Sequence, residues 1–99
     1  MTITLNKEES ALTVALEGRL DTTTAPQLEK ELSGQLDGVT QLCMDLAKLD
    51  YISSAGLRVL LSTQKIMNKQ GKMTIRNVKS EIMEVFDVTG FVDILSIEQ

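Results

Sequence analysis

Leu49-Asp50-Tyr51-Ile52-Ser53-Ser54-Ala55-Gly56-Leu57-Arg58-Val59-Leu60-Leu61 is the stretch on which the reading turns. Its first four residues are apolar or aromatic with one acid. Two serines follow, then a small alanine and a glycine, and from Leu57 an apolar pattern at helical spacing begins. The pattern predicts a loop that delivers a serine to the first turn of a helix. A serine there accepts a hydrogen bond from a backbone N–H that has no partner in the helix. Ser53 and Ser54 compete for that cap. The same place favours negative charge, because the helix macrodipole is positive at its N-terminus. A phosphate on Ser54 would sit near backbone donors, and Ala55 and Gly56 would leave room for another molecule to approach. The plain alternative is a serine that only caps a helix.

Downstream, the helix is expected from about Ala55 to Gln70, stopped by Gly71. Leu57, Leu60, Leu61, Gln64 and Met67 fall on one face, the predicted core side. Arg58, Ser62, Lys65 and Lys69 share another. Val59 and Ile66 lie off the main stripe, which leaves two readings: a wide core face, or a small docking surface beside Ser54 edged by Arg58 and Lys65. Upstream, residues 40–47 carry apolar side chains at both parities. They predict a central strand covered on both faces, with Cys43 as a buried, reduced core residue. Strand, loop and helix in that order put the loop at the carboxyl end of a strand, where function often sits in α/β folds.

Further out, residues 2–8 and 11–18 alternate, with Ile3 and Leu5 in the first run and Leu12, Val14 and Leu16 in the second. Two such runs with a short connection predict an antiparallel hairpin. Thr24 with Gln27 fits a capping box, and Leu28, Leu32 and Leu36 predict a helix over 25–37 ended by Gly38. Lys72 to Asn77 predicts a strand parallel to the central one. Ser80 is expected to cap a helix with Ile82, Val85 and Phe86 inside and Gly90 as its stop. Val92 to Ile97 reads as a last strand. The result is an α/β chain in the order β-β-α-β-α-β-α-β. It is expected to form a single domain over 1–99, with a mixed sheet of about five strands and helices mainly on one face.

Composition narrows the function. Of 99 residues, 42% are hydrophobic, enough for one core. Net charge is −4 with a pI near 4.7 and no basic cluster, which argues against nucleic acid as partner. With no histidine, neither a Ser-His-Asp triad nor a His-ligated zinc site can be built, and one cysteine makes no metal cluster or intrachain disulfide. No phosphate-cradling or dinucleotide glycine motif is present. No cofactor or metal is expected, and an enzyme or nucleotide-binding role has the least sequence support. The amino-terminal residues lack a signal-peptide core, and no run approaches a membrane span, so no direct membrane insertion and a cytoplasmic location are expected.

Tyr51-Ile52-Ser53-Ser54-Ala55-Gly56-Leu57-Arg58-Val59-Leu60 resembles the signature loop of STAS domains, and more narrowly that of bacterial anti-sigma-factor antagonists. Those proteins carry a phosphorylatable serine two residues before the loop glycine; here that position is Ser54, with Gly56 as the glycine. Where the family often has Asp directly before the serine, this chain has Ser53, an alternative acceptor. Gly18-Arg19-Leu20-Asp21 before a helix that opens Ala25-Pro26 is similar to a second family motif, which implies that Asp21, Thr22 and Thr23 lie near the phosphorylation loop and the partner surface. Phe86-Asp87-Val88-Thr89-Gly90 resembles a third, read as packing and turn formation. The resemblance implies partner-binding roles for Ser53, Ser54, Ala55, Gly56, Arg58 and Val59. It also implies an unphosphorylated form that binds an anti-sigma factor with serine kinase activity and so releases the sigma factor. Phosphorylation of Ser54 would break that complex and a serine phosphatase would restore it. An alternative keeps the fold without the switch: a STAS regulatory or structural subunit of a membrane transport complex.

Overall fold

The computed structural model describes residues 1–98. Alternation builds its first hairpin: β1 (Thr2–Glu8) pairs antiparallel with β2 (Ala11–Leu20) through a turn at Glu9 and Ser10. Helix α1 (Ala25–Ser33) then leads to β3 (Gln41–Ile52), α2 (Ser54–Gln70) to β4 (Lys72–Arg76), and α3 (Ser80–Thr89) to the short β5 (Ile97–Glu98). The sheet order is β1-β2-β3-β4-β5, and every pair after the first is parallel. Right-handed crossovers between successive neighbours put all three helices on the same side of the sheet. Burial agrees. Leu12, Val14, Leu16, Leu42, Met44, Met73 and Ile75 are buried under Leu28, Leu32, Leu60, Met67, Ile82 and Phe86 from the helices. The expected mixed sheet with helices on one face is the fold of this chain.

The opposite face is open, and this corrects the expectation for β3. It is the central strand, but helices cover it on one side only. Thr13, Cys43 and Thr74 stand in register on the bare side, followed by Ala15, Asp45 and Arg76. Cys43 is therefore half-buried rather than a core residue, and burial pushes its thiol pKa up. β3 also runs five residues past the predicted end at 47. Its register against β2 slips twice, between Ala15 and Glu17 and between Gly18 and Arg19, each slip adding one residue on β3. The buried positions Leu42, Met44, Leu46, Leu49 and Ile52 accordingly change from a spacing of two to a spacing of three. Such bulges keep the side chains on the correct face while twisting the strand end.

Helix α1 stops at Ser33, not 37. Gln35 N–H donates to the Leu32 carbonyl in a tight turn, and Leu36 reaches the core from that turn. Gln70 Nε2 ties the segment down by donating to the carbonyls of Leu36 and Val39 at 2.7 and 2.6 Å. No capping box forms at Thr24: its hydroxyl accepts from Asp21 N–H and donates to the Arg19 carbonyl, both at 2.8 Å. Lys79 rather than Ser80 occupies the cap of α3, and the Ser80 hydroxyl donates to Glu81 Oε1. Gly90 ends α3 in the left-handed region, φ 80°. The predicted strand over Val92 to Ile97 begins instead as a 3-10 turn at Phe91–Asp93, and pairing starts only at Ile97.

Candidate functional site

The carboxyl ends of β2 and β3 lie side by side, with Arg19 opposite Tyr51 and Leu20 opposite Ile52. One further bond extends the pairing into the loop: Ser53 N–H donates to the Leu20 carbonyl at 2.9 Å. The turn after β2 and the serine loop after β3 are thereby fixed next to each other, although their residues lie some thirty positions apart in the chain.

The two serines have separate positions. Ser53 is extended, φ −98° and ψ 175°, and is the cap of α2: its Oγ accepts from Gly56 N–H at 3.4 Å and its carbonyl from Leu57 N–H at 2.9 Å. Ser54 is the first helical residue and is exposed. Its hydroxyl takes no part in the side-chain hydrogen bonds found among the described residues, so it is not spent on holding the fold. Ala55 is half-buried beside it. Gly56 is buried, and the space it leaves is used internally. A Cβ there would lie 2.7 Å from Leu20 Cγ and 2.9 Å from Ile52 Cγ1. The missing side chain is what lets the first turn of α2 rest on the ends of both strands.

Arg58 is exposed on the outer side of α2. Val59 is 6% exposed and faces α1, where it lines a crevice with Leu32, Leu36 and Ile66. The structure thus brings Ser53, Ser54 and the Asp21 turn together, while Gly56 and Val59 point into the protein.

Asp21 organises its own turn. Its Oδ1 accepts from Thr23 N–H at 3.0 Å, from the Thr23 hydroxyl at 2.7 Å and from Thr24 N–H at 3.1 Å. Thr22 and Thr23 are exposed on this turn. The Thr23 hydroxyl, then its N–H, hold the Asp21 carboxyl below its ordinary value. A carboxylate with a lowered folded pKa stabilises the fold above its unfolded value, about 4, and loses that contribution as pH falls through the folded value. Asp21→Asn is therefore expected to lower the melting temperature at pH 7. The gap to the parent protein should narrow as pH drops below about 4. Thermal melts at pH 7, 4 and 2.5 check this; a gap that widens in acid would refute it.

Two residues to which the sequence motifs assign no binding role complete the surface. The Arg19 guanidinium lies 4.2 Å from the centre of the Tyr51 ring, and Arg19 Nε is 3.8 Å from Asp21 Oδ2. Tyr51 is 40% exposed, a large side chain displayed beside Ser53. Tyrosine and arginine are the residue types that most often anchor protein interfaces. Only strand register brings these two together, so no local motif could have shown them. Lys79 Nζ, at the start of α3, donates to Asp50 Oδ1 at 2.7 Å and bounds the far side. Among the described residues no group of three or more Cys, Asp or Glu converges to hold a metal, and no helix is long and apolar enough to cross a membrane.

Known proteins share this architecture. The STAS domain pattern matches residues 2–99. BtrV of Bordetella bronchiseptica, a protein assigned to the anti-sigma factor antagonists, is 39% identical over 99 residues, covering 98% of this chain and 85% of BtrV. The anti-sigma-B factor antagonist of Bacillus subtilis is 29% identical over 96 residues, covering 96% of this chain and 88% of its own length. The solved structure of the anti-sigma factor antagonist SpoIIAA in its unphosphorylated form superposes with a TM-score of 0.85 at 18% identity, over 99% of this chain and 89% of that one. With its mixed five-stranded sheet, its helices on one face and its serine loop beside the Asp21 turn, this chain belongs to the STAS domain family, among the anti-sigma-factor antagonists.

Proposed function

We propose that this protein is an anti-sigma-factor antagonist switched by phosphorylation of Ser54. Unphosphorylated, it binds an anti-sigma factor that is also a serine kinase, and the sigma factor is released. The kinase transfers the γ-phosphoryl group of ATP to Ser54 Oγ; the hydroxyl loses its proton and ADP leaves. A serine phosphatase returns the hydroxyl with water as the nucleophile. This traffic belongs to the bacterial cytoplasm.

The observation that carries the reading is the division of labour between the two serines. Ser53 caps α2, and Ser54 stands free and exposed at its first residue. A phosphate there meets the positive end of the helix, so the modification leaves the fold intact. Its effect falls on whatever surface is pressed against the loop. SpoIIAA, which has the same fold, has been solved in unphosphorylated and in phosphorylated form.

The experiment is an intact-mass measurement after incubation with ATP and the candidate kinases of the same organism, followed by fragmentation. One added phosphate on Ser54 is the expected result. Phosphate on Ser53 instead would move the switch to the cap, and no phosphate from active kinases would overturn the proposal. The neighbouring pair gives a second test. Tyr51→Ala is expected to weaken the anti-sigma complex by about tenfold, the usual loss for an exposed aromatic anchor. Calorimetric titration of a folded variant checks it, and unchanged affinity would remove Tyr51 from the interface.

A further inference from the structure

We propose that the outer face of α3 is a second docking surface, separate from the serine loop, and that it takes a cationic amphipathic helix of a partner protein. Ile82 and Phe86 are buried and fix which side of α3 faces in. On the outer side Glu81, Glu84 and Val88 follow one another at helical spacing, and with Thr89 and the half-buried Val85, which also packs on the core, they line a shallow open groove. Val88 is 87% exposed, far beyond any role in the core. Val92 and Ile94, just after the helix, are 39% and 47% exposed. Three of the five large apolar side chains exposed among the described residues thus fall within seven residues.

Charge identifies the occupant. Residues 80–94 contain Glu81, Glu84, Asp87 and Asp93 and no lysine or arginine. The chain has 14 acids and 10 bases, so removing these four leaves 10 of each. The segment that displays Val88 thus carries a formal charge of −4 by itself, with Lys79, the cap of α3, at its edge and paired to Asp50. Glu81 is held in its charged form by the hydrogen bond from the Ser80 hydroxyl. An apolar strip with a single-sign acidic rim repels anionic surfaces and favours a partner that brings Lys or Arg around its own apolar stripe. The groove presents a stripe two helical turns long, which suits a helix laid along it. Val88 lies eight residues beyond the start of α3, about 12 Å along the axis from the helix end where Lys79 bonds Asp50 at the edge of the serine site.

The test is a titration of the isotope-labelled full chain, followed by amide shifts, with a synthetic helical peptide of Leu and Lys whose leucines recur at i, i+3, i+4 and i+7. A peptide with Glu in place of Lys is the control. The expected result is saturable shifts confined to residues 81–94, weakened by salt, and no binding of the control. Val88→Lys and Glu84→Lys should each reduce affinity about tenfold or more. Both positions are exposed, and circular dichroism confirms that the variants are folded. Equal binding of the control peptide, shifts spread over α1 and α2, or unchanged affinity in both variants would overturn the proposal. So would self-association in sedimentation that Val88→Lys abolishes, since the face would then serve a second copy of this chain.

Discussion

Protein carrying phosphate on Ser54 is expected to bind its anti-sigma factor at least about 100-fold more weakly than unmodified protein, a loss of about 2.7 kcal/mol. The physical cause is local. Phosphate adds roughly −1.5 to −2 charges at neutral pH. In the free protein water and the first turn of α2 accommodate them, but in a closed interface they must be desolvated, and an unpaired buried charge costs several kcal/mol. Ser54→Asp should reproduce part of the loss. Ser54→Ala should bind as tightly as the unmodified protein and stay bound when ATP is present, because its hydroxyl supports nothing in the fold. Ser53→Ala is the contrasting control. It removes the cap of α2 and should cost about 0.5–1 kcal/mol of stability, at the low end for capping serines because the bond is 3.4 Å long. Binding isotherms with the five proteins, beside their thermal melts, separate the two serines. Equal affinity of native and phosphorylated protein would end the switch reading.

Gly71→Ala is expected to be the most damaging small substitution for folding. Gly71 joins α2 to β4, and it does so against the Thr40 backbone. An ideal Cβ there would lie 1.9 Å from the Thr40 carbonyl oxygen and 2.6 Å from its carbon. Its φ of 172° is ordinary extended backbone, so the constraint is space alone. The neighbour cannot yield by turning a side chain, because that carbonyl accepts from Lys72 N–H at 2.9 Å and so anchors the start of β4. Relieving the overlap means shifting one of two backbones, with an expected cost of about 3 kcal/mol. For a domain of this size that corresponds to a melting point lower by roughly 12–24 °C. Differential scanning calorimetry would show it, and a shift below about 3 °C would mean that the connection is free to move. At Gly56 the contacts are to side chains of Leu20 and Ile52, so a Cβ there should be less costly.

What the sequence revealed depended on how local the controlling interaction was. The hairpin was legible because Leu12, Val14 and Leu16 alternate without interruption, and α2 was legible because its caps and core stripe lie within one helix. β3 was not. Its two bulges turn a period of two into a period of three after Leu46, so the strand appears to end where it only twists. Cys43 misled for a different reason: an apolar residue type on a central strand looks buried, but no helix crosses the second face. Leu36 continued the stripe of Leu28 and Leu32 by coincidence of spacing, although Gly34 had already ended the helix. At the site, Ser54 and the Asp21 turn could be named from short motifs. The stacking of Arg19 on Tyr51 could not, since it is created by strand register between distant segments. Nor could spacing alone show that Val59 faces α1.

The bond from Ser53 N–H to the Leu20 carbonyl has a consequence for the chemistry of signalling. The exposed hydroxyl of Ser54 is presented by two strands and a helix start together, so under the proposed switch it belongs to a conformational epitope rather than to a linear one. An enzyme that modifies it must recognise a finished tertiary surface. Under the proposed switch, a nascent or misfolded copy of this chain would lack that surface and be expected to escape both kinase and anti-sigma factor, which would make correct folding the first checkpoint of the circuit.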